Sequence, residues 1–200
     1  LHDALPISAK LLDIDPDNPS ALALLGANLA ATDPAKALTH LRKAAARFQV
    51  SGDNAGAADA LRRVVELDAD DAESWQTLAE HLAVLGEDAE RRLALMNLAA
   101  ALTAQGADAR AGDIVNAVLA EAPMDTLLHE KALAIWRRTA SPQDIMAELV
   151  WLAPVYLRQG NYAAAEETIE AGLAIDPEDI SLQESRIELL RQMGRTEERQ

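Results

Sequence analysis

The sequence predicts an all-α fold, a solenoid of antiparallel helices, and three observations carry that prediction. Half of the 200 residues are apolar but only 3% are aromatic; alanine and leucine supply most of the remainder, and both are strong helix formers that let helices pack closely. Apolar residues recur at i, i+3, i+4 and i+7, without sustained period-2 alternation or an Asn-Gly hairpin turn, which is helical and not strand patterning. Finally the chain repeats itself: residues 102–125, LTAQGADARAGDIVNAVLAEAPMD, and residues 156–179, YLRQGNYAAAEETIEAGLAIDPED, stand 54 positions apart with glycine, alanine and proline in register.

The repeat divides the chain into blocks 18–71, 72–125 and 126–179, with a partial fourth over 180–200. Gly52, Gly106 and Gly160 share one block position, Phe48, Leu102 and Tyr156 another, Ala57, Ala111 and Ala165 a third, and Thr32, Gly86 and Ala140 a fourth; Gly194 is in register with Gly86. Each block parses into three helices, so ten to eleven are expected in all. Residues 9–14 form the tail of one, and 20–31 the next. Asp33-Pro34 places an N-cap before a proline at the first helical position and opens 34–50; Gly52 follows its end, where a left-handed residue costs least, and 54–67 comes next. The acidic corner ELDADDAE, 66–73, offers Asp70 as N-cap with Glu73 three residues on, opening 72–85. Helices over 88–104, 108–121 and 126–139 follow. Ser141-Pro142 opens 142–158, with Asp144 completing a Ser-x-x-Asp box, and 161–174 and 180–193 close the series. Within 142–158, Pro154 deprives the Val150 carbonyl of its helical donor and is expected to kink the packing.

An odd number of helices per block has a geometric consequence. Successive blocks start pointing in opposite directions, unless the opening helices near Ser20, Ala72 and Thr126 are tilted across the stack. The nearly all-round apolar middle helices, LALMNLAAALTA and IMAELVWLAPVYL, favour inversion, because such an element packs on both sides.

The second and third helices of each block resemble the tetratricopeptide repeat (TPR), a 34-residue helix-turn-helix. Leu95, Leu98, Ala99, Leu102, Gly106, Ala111, Val115, Val118 and Pro123 carry the resemblance in the middle block, and Leu149, Leu152, Ala153, Tyr156, Gly160, Ala165, Ile169, Gly172 and Pro177 in the last. The first block supplies Leu41, Ala44, Ala45, Phe48, Gly52, Ala57, Leu61 and Val64, with Ala69 in place of the proline, and Trp75, Leu78, Ala79, Leu82 and Gly86 start a partial match. The resemblance implies a TPR-like superhelix in which small residues let helices approach and large ones fill the neighbouring grooves. It further implies a non-catalytic scaffold that takes a peptide or protein segment in its concave groove. Transferring the groove-lining positions singles out Glu73, Gln76, Glu80, Glu130, Arg137, Arg138, Glu184 and Glu188, a largely acidic set suited to a basic partner. The lysine and asparagine set with which some TPR proteins hold a C-terminal carboxylate is replaced by Arg42, Ala46, Met96 and Ala100. The alternative expectation is a regulatory or docking arm of a larger enzyme, or of a secretion or assembly protein.

Other functions find little support. A formal net charge of −15 argues against nucleic acid, and no stretch is apolar enough to insert in a membrane. There are no cysteines. His40, His81 and His129 occupy unrelated block positions without the i, i+4 spacing of paired ligands, so they are expected on the surface or partly buried, with no metal, cofactor or catalytic role. Trp75, Trp136 and Trp151 are expected to pack in the core, and the doublets Arg62-Arg63, Arg91-Arg92 and Arg137-Arg138 to be solvated. Residues 1–7, Leu-His-Asp-Ala-Leu-Pro-Ile, match the translation of a common sequencing adapter and are expected to be non-native, leaving 8–200 as a single array cut at both ends. Fourteen arginines to four lysines point to a GC-rich bacterial genome, the compartment stays open between cytoplasm and periplasm, and an uncovered fourth block suggests end-to-end self-association.

Overall fold

The structure, a computed structural model, describes residues 10–139 and 141–197, with side chains as far as Gly194. Residues 1–7, expected to be non-native, and Ala140 lie outside the described residues. After a helical segment at 10–14 come α1 (Pro19–Leu29), α2 (Pro34–Ser51), α3 (Asn54–Leu67), α4 (Ala72–Leu85), α5 (Asp88–Ala104), α6 (Asp108–Glu121), α7 (Thr126–Thr139), α8 (Pro142–Gln159), α9 (Tyr162–Ile175) and α10 (Ile180–Glu197). No strand occurs among the described residues. The fold is all-α, built from short-linked antiparallel helices.

The punctuation is local chemistry. Pro19, Pro34 and Pro142 stand at the first helical position. The Asn18, Asp33, Asp53, Asp71 and Asn161 side chains accept the N–H of the residue three further on, which satisfies one of the donors a helix start leaves open. Gly52, Gly86, Gly106 and Gly160 all have φ between 71° and 77°, the left-handed conformation that glycine adopts without steric cost. Four expectations change. The cap of α4 is Asp71, not Asp70: Asp71 Oδ1 accepts the Ser74 N–H at 3.0 Å while Oδ2 accepts the Ser74 hydroxyl at 2.6 Å. Ser141 makes no cap bond to the backbone, because its hydroxyl donates instead to the Asp144 carboxylate. The first full helix ends at Leu29. The last runs through Gly194 to Glu197, since nothing in the chain makes Gly194 leave helical geometry, and it is absent from the left-handed glycines.

The chain divides into two compact units, one ending at Val115 and the other starting at Asn116. In the first, α1 packs on α2, α2 on α3, α3 on α4 and α4 on α5. Its core gathers Leu22, Ala44, Ala58, Leu61, Leu78, Leu82 and Ala94, with Phe48 and Trp75 packed against it. In the second, α8 packs on α7, α9 and α10, the environment that its apolar circumference anticipates. Its core gathers Leu149, Leu152, Ala153, Ile169, Leu182 and Leu189. Repeat positions and burial coincide: Ala57, Ala111 and Ala165 are each fully buried. Small residues act as contact points. A Cβ on Gly172 would lie 2.3 Å from Leu182 Cδ1, and one on Gly26 would lie 2.6 Å from Leu41 Cγ, so α9 meets α10, and α1 meets α2, at a spacing that admits only hydrogen.

Candidate functional site

The eight candidate residues lie on the opening helix of their blocks, and five of them, Glu73, Glu130, Arg137, Glu184 and Glu188, line three separate grooves. In the first unit, Glu73, Gln76 and Glu80 are exposed on α4. Glu73, with Ser74 and Thr77, lines a cavity of about 180 Å³ whose other wall is Arg42, Ala46 and Gln49 of α2. Gln76 donates to Glu80 at 3.2 Å and accepts from Arg110 at 2.6 Å. In the second unit, Glu130 and Arg137 of α7 line a cavity of about 200 Å³ together with Ala164, Glu167 and Thr168 of α9. There the Tyr156 hydroxyl donates to Glu130 at 2.6 Å. Burial, and then the Glu130 carboxylate, push the Tyr156 phenol above its usual range. Glu184 and Glu188 of α10 line a different cavity, of about 460 Å³, against Val150, Pro154, Leu157 and Arg158 of α8. Arg138 is exposed and lines none of these.

The second unit therefore does not bring Glu130 and Arg137 together with Glu184 and Glu188. The physical reason is the odd number of helices per block. The opening helix α7 pairs with α9 across one groove and the opening helix α10 pairs with α8 across another, as expected when successive blocks start in opposite directions. Within this unit, positions of α7 and α10 that are equivalent in sequence fall in different grooves.

The corner between α3 and α4 contains a feature that the sequence reading missed. Arg42 on α2 donates through Nη2 to Asp68 at 2.9 Å and to Asp71 at 2.7 Å, and through Nε to Asp71 at 3.1 Å. Burial alone would raise Asp71, but hydrogen bonds from Ser74 and Arg42 outweigh it and hold its carboxyl below the usual range. The signal was in the register, since Asp68 and Asp71 recur 108 residues on, two block lengths, as Asp176 and Asp179. A second missed clamp is Arg62 on α3, which donates to Glu90 at 2.6 Å and 2.8 Å, to Glu87 at 2.7 Å and to Asp59 at 2.7 Å. This tie corrects the expectation of a solvated Arg62-Arg63 doublet, and Arg92 Nε, also expected in solvent, is buried. Long arginine stems lie along apolar helix surface and bring the guanidinium to the carboxylates at the next helix start.

The histidines also depart from expectation. His40 is half-buried, whereas His81 and His129 are buried. His81 Nδ1 lies 2.8 Å from Asn54 Oδ1. His129 Nδ1 lies 2.6 Å from Glu148 Oε2 and Nε2 lies 3.1 Å from the Pro123 carbonyl, while Trp151 stacks on the ring at 3.6 Å. The group ties the α6–α7 corner, α7 and α8 into one core polar network. Trp136 is buried as expected, and Trp75 is half-buried, with its indole N–H donating to the Ala69 carbonyl at 2.9 Å. Among the described residues no group of three or more His, Cys, Asp and Glu side chains could hold a metal ion, and no helix is long and apolar enough to cross a membrane.

Left-handed glycines after helices, buried alanines at the crossings and antiparallel neighbours reproduce what the TPR motif requires. The helical unit is TPR-like. No family model and no curated protein matches the chain. Among solved structures, it is similar to a chain of the APC/C hetero-tetramer Cut9–Hcn1, at 16% identity and a TM-score of 0.31, over 96% of this chain and 46% of that one. It thus spans about half the length of that relative. A tetratricopeptide repeat protein from Parabacteroides merdae matches at 13% identity and a TM-score of 0.28, over 94% and 98% of the two chains. The P58(IPK) TPR domain matches at 13% identity and a TM-score of 0.32, over 95% and 64%. At such scores the assignment rests on the repeat geometry within each unit.

Proposed function

We propose that the chain is a non-catalytic scaffold that binds a peptide or protein segment in its inter-helix grooves. The observation that carries this reading is the groove between α8 and α10: a preformed cavity of about 460 Å³ with Val150, Pro154 and Leu157 along one wall and Glu184 and Glu188 along the other. Apolar walls supply contact area, and carboxylates set orientation and attract a basic partner. The grooves holding Glu73 and Glu130 are smaller and serve as secondary contacts.

The test is capture of partner from a lysate of the source organism by the full chain and by charge-reversed variants. Glu184→Lys with Glu188→Lys is expected to abolish capture, and Glu73→Lys, Glu80→Lys and Glu130→Lys to reduce it. Unchanged capture by the Glu184/Glu188 variant, with its helical circular dichroism intact, removes this groove assignment.

A further inference from the structure

The chain contains its own comparison for the α8–α10 groove, and the inference drawn from it rests on the groove reading above. The α2–α4 groove of the first unit stands two block lengths earlier. Ala46 corresponds to Pro154, Gln49 to Leu157, Thr77 to Ser185 and Glu80 to Glu188. At the corner beside it, Asp68 and Asp71 correspond to Asp176 and Asp179. Glu73 and Gln76 correspond to Ser181 and Glu184, and the position of Arg42 holds Val150, which removes the cation.

In the first unit the Arg42 guanidinium bridges the two aspartates. In the second, Asp176 Oδ1 accepts the Glu178 N–H at 3.0 Å and Asp179 Oδ1 accepts the Leu182 N–H at 2.9 Å. Neither carboxylate meets a cation among the described residues. The cavity in the neighbouring groove is also larger, about 460 Å³ against about 180 Å³. Two further acceptors belong to residues that line the groove. Pro154 has no N–H, so the Val150 carbonyl lacks its i+4 donor, and Glu184 lies along the wall. Glu188 is engaged by Arg191 at 3.0 Å and Gln192 at 2.8 Å. The groove's own cation, Arg158, stands eight residues beyond Val150 on α8, about 12 Å along the helix axis.

We propose that the α8–α10 groove binds a partner segment through an arginine whose guanidinium takes the place that Arg42 fills in the first unit, bridging Asp176 and Asp179. A guanidinium fits because two carboxylates around one fork is the arrangement Arg42 already makes, which an ammonium reproduces only as a point charge. The apolar neighbours of that arginine rest on Val150, Pro154 and Leu157.

The experiment uses the full chain. Random peptides displayed on phage are selected for binding at low salt, and the enriched sequences are synthesised. They are expected to share an arginine, and its replacement by citrulline, which keeps the shape and removes the charge, is expected to weaken binding about tenfold or more. Asp176→Asn with Asp179→Asn, which keeps the α10 cap, weakens the arginine peptide to the level of the citrulline one. Val150→Arg fills the place from within: it abolishes peptide binding and, without any peptide, raises Tm by about 2–4 °C. Peptides that tolerate both citrulline and Val150→Arg but lose binding on Glu184→Lys with Glu188→Lys overturn the guanidinium site and leave the groove reading standing. Peptides indifferent to all these variants, or none selected, overturn both. An unchanged or lowered Tm in Val150→Arg, with helical content retained, overturns the structural equivalence itself.

Discussion

His129 shows how a single side chain can be constrained by chemistry alone. Both ring nitrogens face acceptors, the Glu148 carboxylate and the Pro123 carbonyl, so one proton sits between Nδ1 and Oε2. Burial is the largest influence on Glu148 and raises its carboxyl above the usual range, although His129 and Trp136 hydrogen-bond it. The sign follows from linkage. A glutamate raised in the folded state contributes most below its unfolded value of about 4.3, and that contribution is lost as pH rises through the folded one. Glu148→Gln keeps every hydrogen bond, with the amide donating to Nδ1 and Nε2–H donating to Pro123. Urea denaturation from about pH 4 to neutrality should therefore show this variant gaining on the wild type as pH rises. Glu148→Ala leaves a buried nitrogen unpaired and should cost about 2–4 kcal/mol. A glutamine variant that loses ground with rising pH would show that the ion pair outweighs desolvation. No sequence pattern marks this pair, because residues 19 apart meet only once α7 and α8 have packed.

At the scale of elements, boundaries were legible where one residue type alone satisfies a backbone requirement. Proline at a first helical position and glycine in the left-handed region mark the starts and ends of α2 and α8. The acidic corner was harder, because Asp70 and Asp71 are chemically identical and their roles depend on which one Arg42 and Ser74 reach. Asp71→Ala removes a cap and the anchor of Arg42, for a loss of about 2 kcal/mol, whereas Asp70→Ala should change stability by less than about 0.5 kcal/mol. Equal effects in chemical denaturation would return the cap to Asp70. The glycine at 172 makes a separate point, since a methyl there would strike Leu182, a fully buried residue. Gly172→Ala gains helix propensity yet should lose about 1–3 kcal/mol through overpacking of α9 on α10. If it instead stabilises the protein, Leu182 has room to move. The partition of the candidate residues among separate grooves was not legible, because a motif carried over helix by helix ignores the inversion that a three-helix block imposes.

For the whole molecule, the balance of charge sets two responses to salt that should run in opposite directions. The net charge of −15 leaves many carboxylates uncompensated, and their long-range repulsion opposes the folded state. The corner ion pairs oppose that repulsion, but they are partly solvent-exposed, Arg42 and Asp68 retaining 47% and 37% of their side-chain accessibility, and such surface pairs are worth about 0–1 kcal/mol each. Screening therefore removes more repulsion than attraction, and Tm should rise from low salt to about 0.5 M, where the Debye length shrinks to a few Å. The proposed binding of a basic segment would draw on the same field with the reverse sign: added salt should slow association and weaken affinity. Thermal melts and peptide titrations on one salt series test both. A Tm that falls with salt would make the Arg42 and Arg62 clamps the dominant electrostatic contribution to folding. An affinity indifferent to salt would remove charge from recognition and leave the apolar wall of Val150, Pro154 and Leu157 to account for it.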